Sequence, residues 1–573
     1  MDDAQRAAVM DLLRRLAETE DPDEEEALSE QLATLTASLR TATLPRGAIG
    51  PVRARSRPRL DGDTLLAHAR EVSQPVFARI DAPATVVAEQ PFEATIGLAA
   101  VLDPALFSTP INLPPGDHTL IVHVTADGIG LAPGQAWRHE LHVTEDGPLP
   151  TVTLALTAEP QEAEAREARI QALFLHEGHT IGFGSRGLVV TRAAEVQTDL
   201  QPTAPVVDGV VALPRDLQAP DLTIDIRRGR FPGELMWVFD TAHGLPVPDE
   251  APITTIGDAP RDYARSLILR ANAREGQADL FAFLRGIGKE IAERMPPEWA
   301  TLLAAVADRV DRPPLVQILS EEPYIPWELA WLDPRIDPAA PGFLAAQACV
   351  GRWLLSAHDP PWPAPPVVDG ERMAAIWGVY QAPGWQRLEA AEDEGRALEA
   401  QFGAEHVPAT LDAVTRCLEG APHADVLHFA VHGHYDPSGG MDGLVLTDQR
   451  TLDPTVVRGM QLPSRPFVFL NACQVGMGRE VLGDHGGMAM ALVKAGASAV
   501  IAPLWSIDDR NAAQVALDFY TEIQDGARPA DVLRRARAAH GPDPSHASGT
   551  SFAYQFFGHP AMRLTLANGA SRR

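Results

Sequence analysis

Four short apolar runs near the end of the chain constrain its fold more than any other feature: Met373 to Tyr380, Val426 to Val431, Pro466 to Ala472 and Ser498 to Leu504. Each is apolar at nearly every position and does not alternate, as expected of strands buried on both faces. Helical patterns lie between and after them, over Arg387 to Phe402, Leu411 to Leu418, Gly487 to Lys494, Ala512 to Ile523 and Ala530 to Ala539. Strands alternating with helices predict an α/β domain with a mainly parallel sheet. The same texture begins near Asp262 and includes an apolar strand over Leu315 to Leu319. A proline-dense break from Asp359 to Pro366 divides the expected domain, residues 255–573, into halves at 255–360 and 367–566.

Two residues stand where such a sheet carries its chemistry. His432 follows the run that ends at Val431, and Cys473 follows the run that ends at Ala472. Open α/β sheets bind ligands outside the carboxyl ends of their strands. The stretch between the two leaves room for the crossover that parallel neighbours need. An imidazole beside a thiol is the minimum for a thiolate nucleophile, and the imidazolium can later protonate a leaving amine. Gly433 has no side chain to block a substrate carbonyl, so the Gly433 and Cys473 amides are candidate oxyanion donors. Taken singly, each residue has a plainer reading. A strand-end Cys is most often a buried apolar side chain, and a strand-end His a polar terminus.

Upstream the pattern changes. Val9, Leu12, Leu13 and Leu16, then Leu28, Leu32, Leu35 and Leu39, mark two amphipathic helices, read as a hairpin over residues 1–44. That hairpin is too small to stand alone and is expected to dock on its own chain or on an activator. Residues 45–61 read as a linker. Residues 62–250 read as a β-sandwich-like region of one or two units, with strands near Phe92 to Leu98, His118 to Thr125, His139 to Thr144, Thr151 to Leu156, Leu222 to Ile226 and Leu235 to Phe239. His176 and His179 are three residues apart among strand-like neighbours, the wrong spacing for the zinc helix they superficially suggest. The overall expectation is a multidomain chain: N-terminal α-hairpin, β-sandwich-like middle and C-terminal α/β fold.

Composition narrows the function. A formal charge of −29 repels phosphate backbones and anionic membranes, so neither nucleic acid nor a membrane is an expected partner. Three cysteines suit a reducing cytoplasm better than a disulfide framework. No signal peptide, membrane span, metal or cofactor is expected.

Five ordered segments together resemble the CHAT family: Ile325-Pro326-Trp327-Glu328-Leu329, Val426 to Gly433, Phe469-Leu470-Asn471-Ala472-Cys473-Gln474-Val475-Gly476, Ala495 to Asp509, and Phe552 to Pro560. The resemblance implies a caspase-hemoglobinase fold, related to caspases and separases. His432 and Cys473 would be its dyad, residues 367–566 its catalytic half and residues 255–360 a degenerate half. His434 competes with His432, but the family motif places the histidine directly before glycine. His428 shares a strand face with His432 deeper in the sheet and reads as a hydrogen-bonded core residue. Cys349 and Cys417 have no such context and read as inert. Gln474-Val475-Gly476 departs from the acidic residue and threonine common in the family, and Asp484-His485-Gly486-Gly487 from its Gly-Glu-Gly type of run.

The implied function is a regulated cysteine endopeptidase acting on partner proteins, with an activator docking on the N-terminal helices or β region, in a bacterial defence or stress pathway. Trp505, Asp508, Asp509 and Asp442 are candidate pocket residues, the acids suiting a basic side chain before the cut. A plainer role for Asp508 is the cap of the helix that follows. A catalytically silent scaffold or signalling adaptor of the same fold is the alternative. A flavodoxin-like phosphate binder is disfavoured by the absence of a Gly-rich phosphate loop.

Overall fold

The apolar runs become the centre of a 13-stranded sheet. The structure is a computed structural model that describes residues 76–567, apart from 201–217, 355–364, 435–442, 474–484, 544–547 and shorter interruptions. The expected hairpin over 1–44 and linker over 45–61 lie outside the described residues.

The strands used below are β1 (His118–Ala126), β2 (Arg138–Val143), β3 (Ala165–His176), β4 (His179–Thr191), β5 (Leu222–Arg228), β6 (Glu234–Thr241), β7 (Ile253–Thr255), β8 (Leu315–Ser320), β9 (Cys349–Leu354), β10 (Met373–Trp377), β11 (Glu405–Pro408), β12 (Val426–His434), β13 (Gly443–Val445), β14 (Phe467–Cys473), β15 (Ala499–Pro503) and β16 (Tyr554–Phe557). The helices are α1 (Leu280–Ala292), α2 (Glu298–Ala307), α3 (Glu389–Phe402), α4 (Leu411–Leu418), α5 (His485–Lys494), α6 (Asp509–Gln524) and α7 (Pro529–Ala538).

Across the large sheet the order is β7-β6-β5-β8-β9-β16-β15-β14-β12-β10-β11. Strands β5, β8, β9 and β16 are mutually parallel, as are β15, β14, β12, β10 and β11. The two blocks meet antiparallel where Val500 faces Phe557 and Pro503 faces Tyr554. Their carboxyl ends therefore lie on opposite edges of one sheet. The blocks do not coincide with the halves expected from the proline break, since β16, from the half at 367–566, runs with the first block.

Strands β5 and β6, read from the sequence with the β-rich region, belong to this sheet: β5 pairs with β8 from Leu222–Val316 to Ile226–Ser320. The remaining β-rich residues form two smaller sheets, one built on the long hairpin of β3 and β4. That smaller sheet covers part of the large one. Leu173, Leu175, Phe183 and Phe107 share a core with Leu319 and Trp353. On β5, Leu222, Ile224 and Ile226 face a second core built with α1 and α2. Their alternates Thr223, Asp225 and Arg227 are equally buried. Helices α4 and α5 continue the first cover beyond the smaller sheet, and α3, α6 and α7 continue the second.

Gly395 shows how closely α3 is set. A Cβ there would lie 2.3 Å from the Trp377 ring, so only glycine lets this turn approach β10. Gly403, with φ at 68°, then ends the helix in the left-handed conformation.

Candidate active site

Strands β12 and β14 are parallel neighbours paired from Val426–Phe467 to His432–Cys473. This register sets the two sequence candidates side by side at the carboxyl edge of the block, His432 being 1% exposed. The buried polar residues help to set this register: a one-residue slip of either strand would take His428 or Asn471 off the face on which both meet Glu394.

Several contacts of His432 come from the chain between β10 and α3. Its main-chain N–H donates to the Tyr380 hydroxyl at 3.2 Å, and that hydroxyl donates to the Val445 carbonyl at 2.6 Å. The ring nitrogen Nε2 lies 2.7 Å from the Gln386 carbonyl. A carbonyl only accepts, so Nε2 carries the proton and Nδ1 is left as the basic nitrogen. Tyr380 packs edge-on against the imidazole at 4.5 Å, and Trp385 lies 5.1 Å away. Burial raises the Tyr380 hydroxyl well above its ordinary value, so it stays a neutral donor.

Gly433 pairs with Leu444, and His434, the last residue of β12, with Gly443. Successive amides of a strand point to opposite sides. The His432 amide faces Tyr380, so the Gly433 amide is directed to the β14 side, where Cys473 ends its strand. His434 lies two residues past the register of Cys473.

Beneath the pair is a buried polar network on the same strand face. His428 Nε2 lies 2.7 Å from Glu394 Oε1, and His428 Nδ1 lies 3.1 Å from the Tyr520 hydroxyl. The Asn471 amide donates to both Glu394 oxygens at 2.8 and 2.9 Å and accepts from Tyr554 at 2.7 Å. His428 is thus a hydrogen-bonded core residue, as its strand position suggests. The network also accounts for Asn471 and Tyr554, which sequence patterns mark but do not explain. Burial, with the Glu394 carboxyl nearby, raises the Tyr520 hydroxyl.

The candidate pocket residues divide. Trp505 is wholly buried. Asp508 is exposed and caps α6, accepting from the Asn511 amide at 2.9 Å. Asp509 accepts from the Ala390 amide at 3.2 Å, tying α6 to the start of α3. Partial burial raises its carboxyl, with Glu394 and Asp508 adding to the rise. Both described acids thus serve helix ends, a use that competes with substrate binding. Asp442 lies outside the described residues.

Cys349 and Cys417 are buried, and desolvation pushes their thiols up to about 12 and about 11, the direction opposite to a nucleophile's. Among the described residues no group of His, Cys, Asp or Glu is arranged to hold a metal, and no helix is long and apolar enough to cross a membrane. His176 and His179 are paired backbone positions at the β3–β4 turn.

Tyr380, Trp385 and the Gln386 carbonyl escaped sequence reasoning. The orienting atom is a backbone oxygen, which has no residue signature. Two aromatic residues just beyond the carboxyl end of a buried strand were the available clue.

The large sheet is thus a mixed α/β one in which His432 and Cys473 stand in register on adjacent parallel strands. The model of the CHAT domain family matches residues 117–560, and the chain belongs to that family. The match begins at β1, so it takes in β1, β2, β3 and β4 of the smaller sheet that covers the large one. A search of curated proteins finds no match. Among solved structures, a cohesin module from a Clostridium perfringens family 33 glycoside hydrolase is 14% identical, covering 21% of this chain and 98% of that one, at a TM-score of 0.13. That likeness carries no argument.

Proposed function

We propose that the chain is a cysteine endopeptidase that cleaves partner proteins through His432 and Cys473. The observation that carries this reading is the register of His432 with Cys473, with Nε2 tied to a carbonyl and Nδ1 left basic. In the proposed reaction Nδ1 takes the thiol proton and the thiolate adds to the scissile carbonyl. The oxyanion that forms accepts from the Gly433 and Cys473 amides, each such donor contributing about 2.7 to 4 kcal/mol in comparable sites. The imidazolium then gives its proton to the leaving amine. Water, activated by the same imidazole, hydrolyses the thioester and frees the enzyme.

Family membership supports peptidase chemistry and carries no substrate. The resemblance to CHAT effectors suggests a bacterial defence or stress setting, and the cysteine usage a reducing cytoplasm. A basic side chain before the cut rests on the exposed Asp508 carboxylate. A peptide panel that favours Leu, Met or Asp at that position would discard it.

The function itself is tested by expressing the protein with those encoded beside it and following them for cleavage. Cleavage should be present in the wild type and lost in both Cys473→Ala and His432→Ala. Cleavage that survives both substitutions rules out the dyad. If no neighbour is cut and the Cys473 thiol behaves like a free one, a silent scaffold is left.

A further inference from the structure

The imidazole of His432 takes its orientation from a carbonyl 46 residues earlier in the chain. A loop carbonyl can hold a proton donor only as firmly as the loop itself is held. Gln386 is exposed and lies in the short connection that leads into α3. What fixes that connection is the next residue. Arg387 donates through Nε and Nη2 to the two oxygens of Glu392, at 2.6 and 2.8 Å. Arg396 adds a third bond at 2.9 Å, while its guanidinium lies 5.1 Å from the centre of the Trp377 ring on β10. The Glu392 amide bonds the Leu388 carbonyl, placing the carboxylate in the first turn of α3, where the helix dipole favours it. The hydrogen bonds from Arg387, with Arg396 assisting, hold the Glu392 carboxyl below its ordinary range.

Surface ion pairs contribute little as a rule. This pair differs in being bidentate, in having a carboxylate that is only 1% exposed, and in anchoring the residue next to Gln386. Arg387 and Glu392 contact no reacting atom. We propose that the Arg387–Glu392 pair is a positioning device for the His432 imidazole: by clamping the connection into α3 it holds the Gln386 carbonyl and the Trp385 ring in place, keeping Nε2 protonated and Nδ1 available to the thiol. This rests on the dyad reading above, and it extends the machinery to two residues that sequence patterns leave unmarked.

The test needs no substrate. Iodoacetamide reacts with thiolates, so its rate at Cys473, followed by peptide mass spectrometry from pH 5 to 9.5 on the full chain, reports how well the imidazole stabilises the thiolate. Buried Cys349 and Cys417 are internal controls that stay unlabelled while the fold is intact. Glu392→Gln and Arg387→Gln are expected to slow alkylation at pH 6 about tenfold while leaving the rate at pH 9.5 within about twofold, the pattern of a thiol pKa raised by about one unit. Arg387→Lys, which keeps the charge and loses the fork, should fall between them and the wild type. A loosened core alone would label the control cysteines instead. Should Glu392→Gln label them, Arg387→Gln and Arg387→Lys decide, since Arg396 still satisfies the carboxylate. Wild-type profiles in the clamp variants, with His432→Ala shifted, overturn the proposal and leave the dyad standing. A wild-type profile in His432→Ala as well overturns both.

Discussion

Glu394 joins elements far apart in the chain. Its oxygens serve His428, 34 residues away, and Asn471, 77 residues away. Glu394→Ala leaves an imidazole and an amide buried without their acceptor. Because unpaired buried polar groups forfeit their full desolvation cost, this substitution should destabilise the fold by about 3 to 5 kcal/mol. Glu394→Gln keeps one acceptor and should cost about half as much. Urea unfolding followed by tryptophan fluorescence checks both, and equal losses would show that shape rather than hydrogen bonding holds the site. The sequence marked Asn471 and Tyr554 by pattern, yet the carboxylate that Asn471 shares with His428 sits on α3, a helix with an ordinary amphipathic signal. No spacing rule connects residues that meet only once the sheet has formed.

Strand β5 is the element where the smaller and large sheets lock together. Arg227 donates to both Asp225 oxygens at 2.7 and 3.1 Å and reaches Gln171 on β3 and Glu321 at 3.2 Å. His123 on β1 lies 3.9 Å from Asp225. At the next strand, Arg138 on β2 bonds Asp240 at 3.0 Å. Burial by itself would raise the Asp225 carboxyl, but Arg227 and His123 outweigh it and hold it below the ordinary value. A depressed native pKa contributes stability that is complete above the unfolded value, near 4, and is lost as the pH falls through the native one. Asp225→Asn should therefore be less stable than the wild type at pH 7 by about 3 kcal/mol, with the gap closing in acid. Thermal unfolding at pH 7 and pH 3 reads this directly, and a gap that stays constant would show that the charge is not what matters. In the sequence, β5 reads as one more strand of the β-rich region, because its apolar alternates Leu222, Ile224 and Ile226 suit either sheet. Only its hydrogen-bonded neighbours decide.

For the whole molecule, the smaller sheet acts as a missing layer of the α/β fold. One face of β8 and β9 is covered by Leu173, Leu175, Phe183 and Phe107 where a helix would ordinarily sit. Deleting residues 76–191 should expose Leu319, Trp353 and the buried charges of β5. The truncated chain is expected to aggregate and elute in the void volume on gel filtration. A soluble, cooperatively folded monomer would show that the smaller sheet is an appended module after all. The family match starting at residue 117 accords with an integral layer.

The sequence by itself determined the principal strands and helices between Met373 and Ala539, though not the short β11 and β13, and the placing of His432 and Cys473 toward the carboxyl ends of their strands. Those features are local, carried by the length and apolarity of each run. Sequence also anticipated that Asp508 caps a helix and that His428 is a core residue, since both follow from neighbours a few positions away. Tertiary structure alone decided the opposed directions of the two strand blocks, the sheet to which β5 belongs, and the Gln386 carbonyl that orients the imidazole. Each of these depends on backbone groups or partners dozens of residues distant, and a backbone oxygen looks the same in every residue.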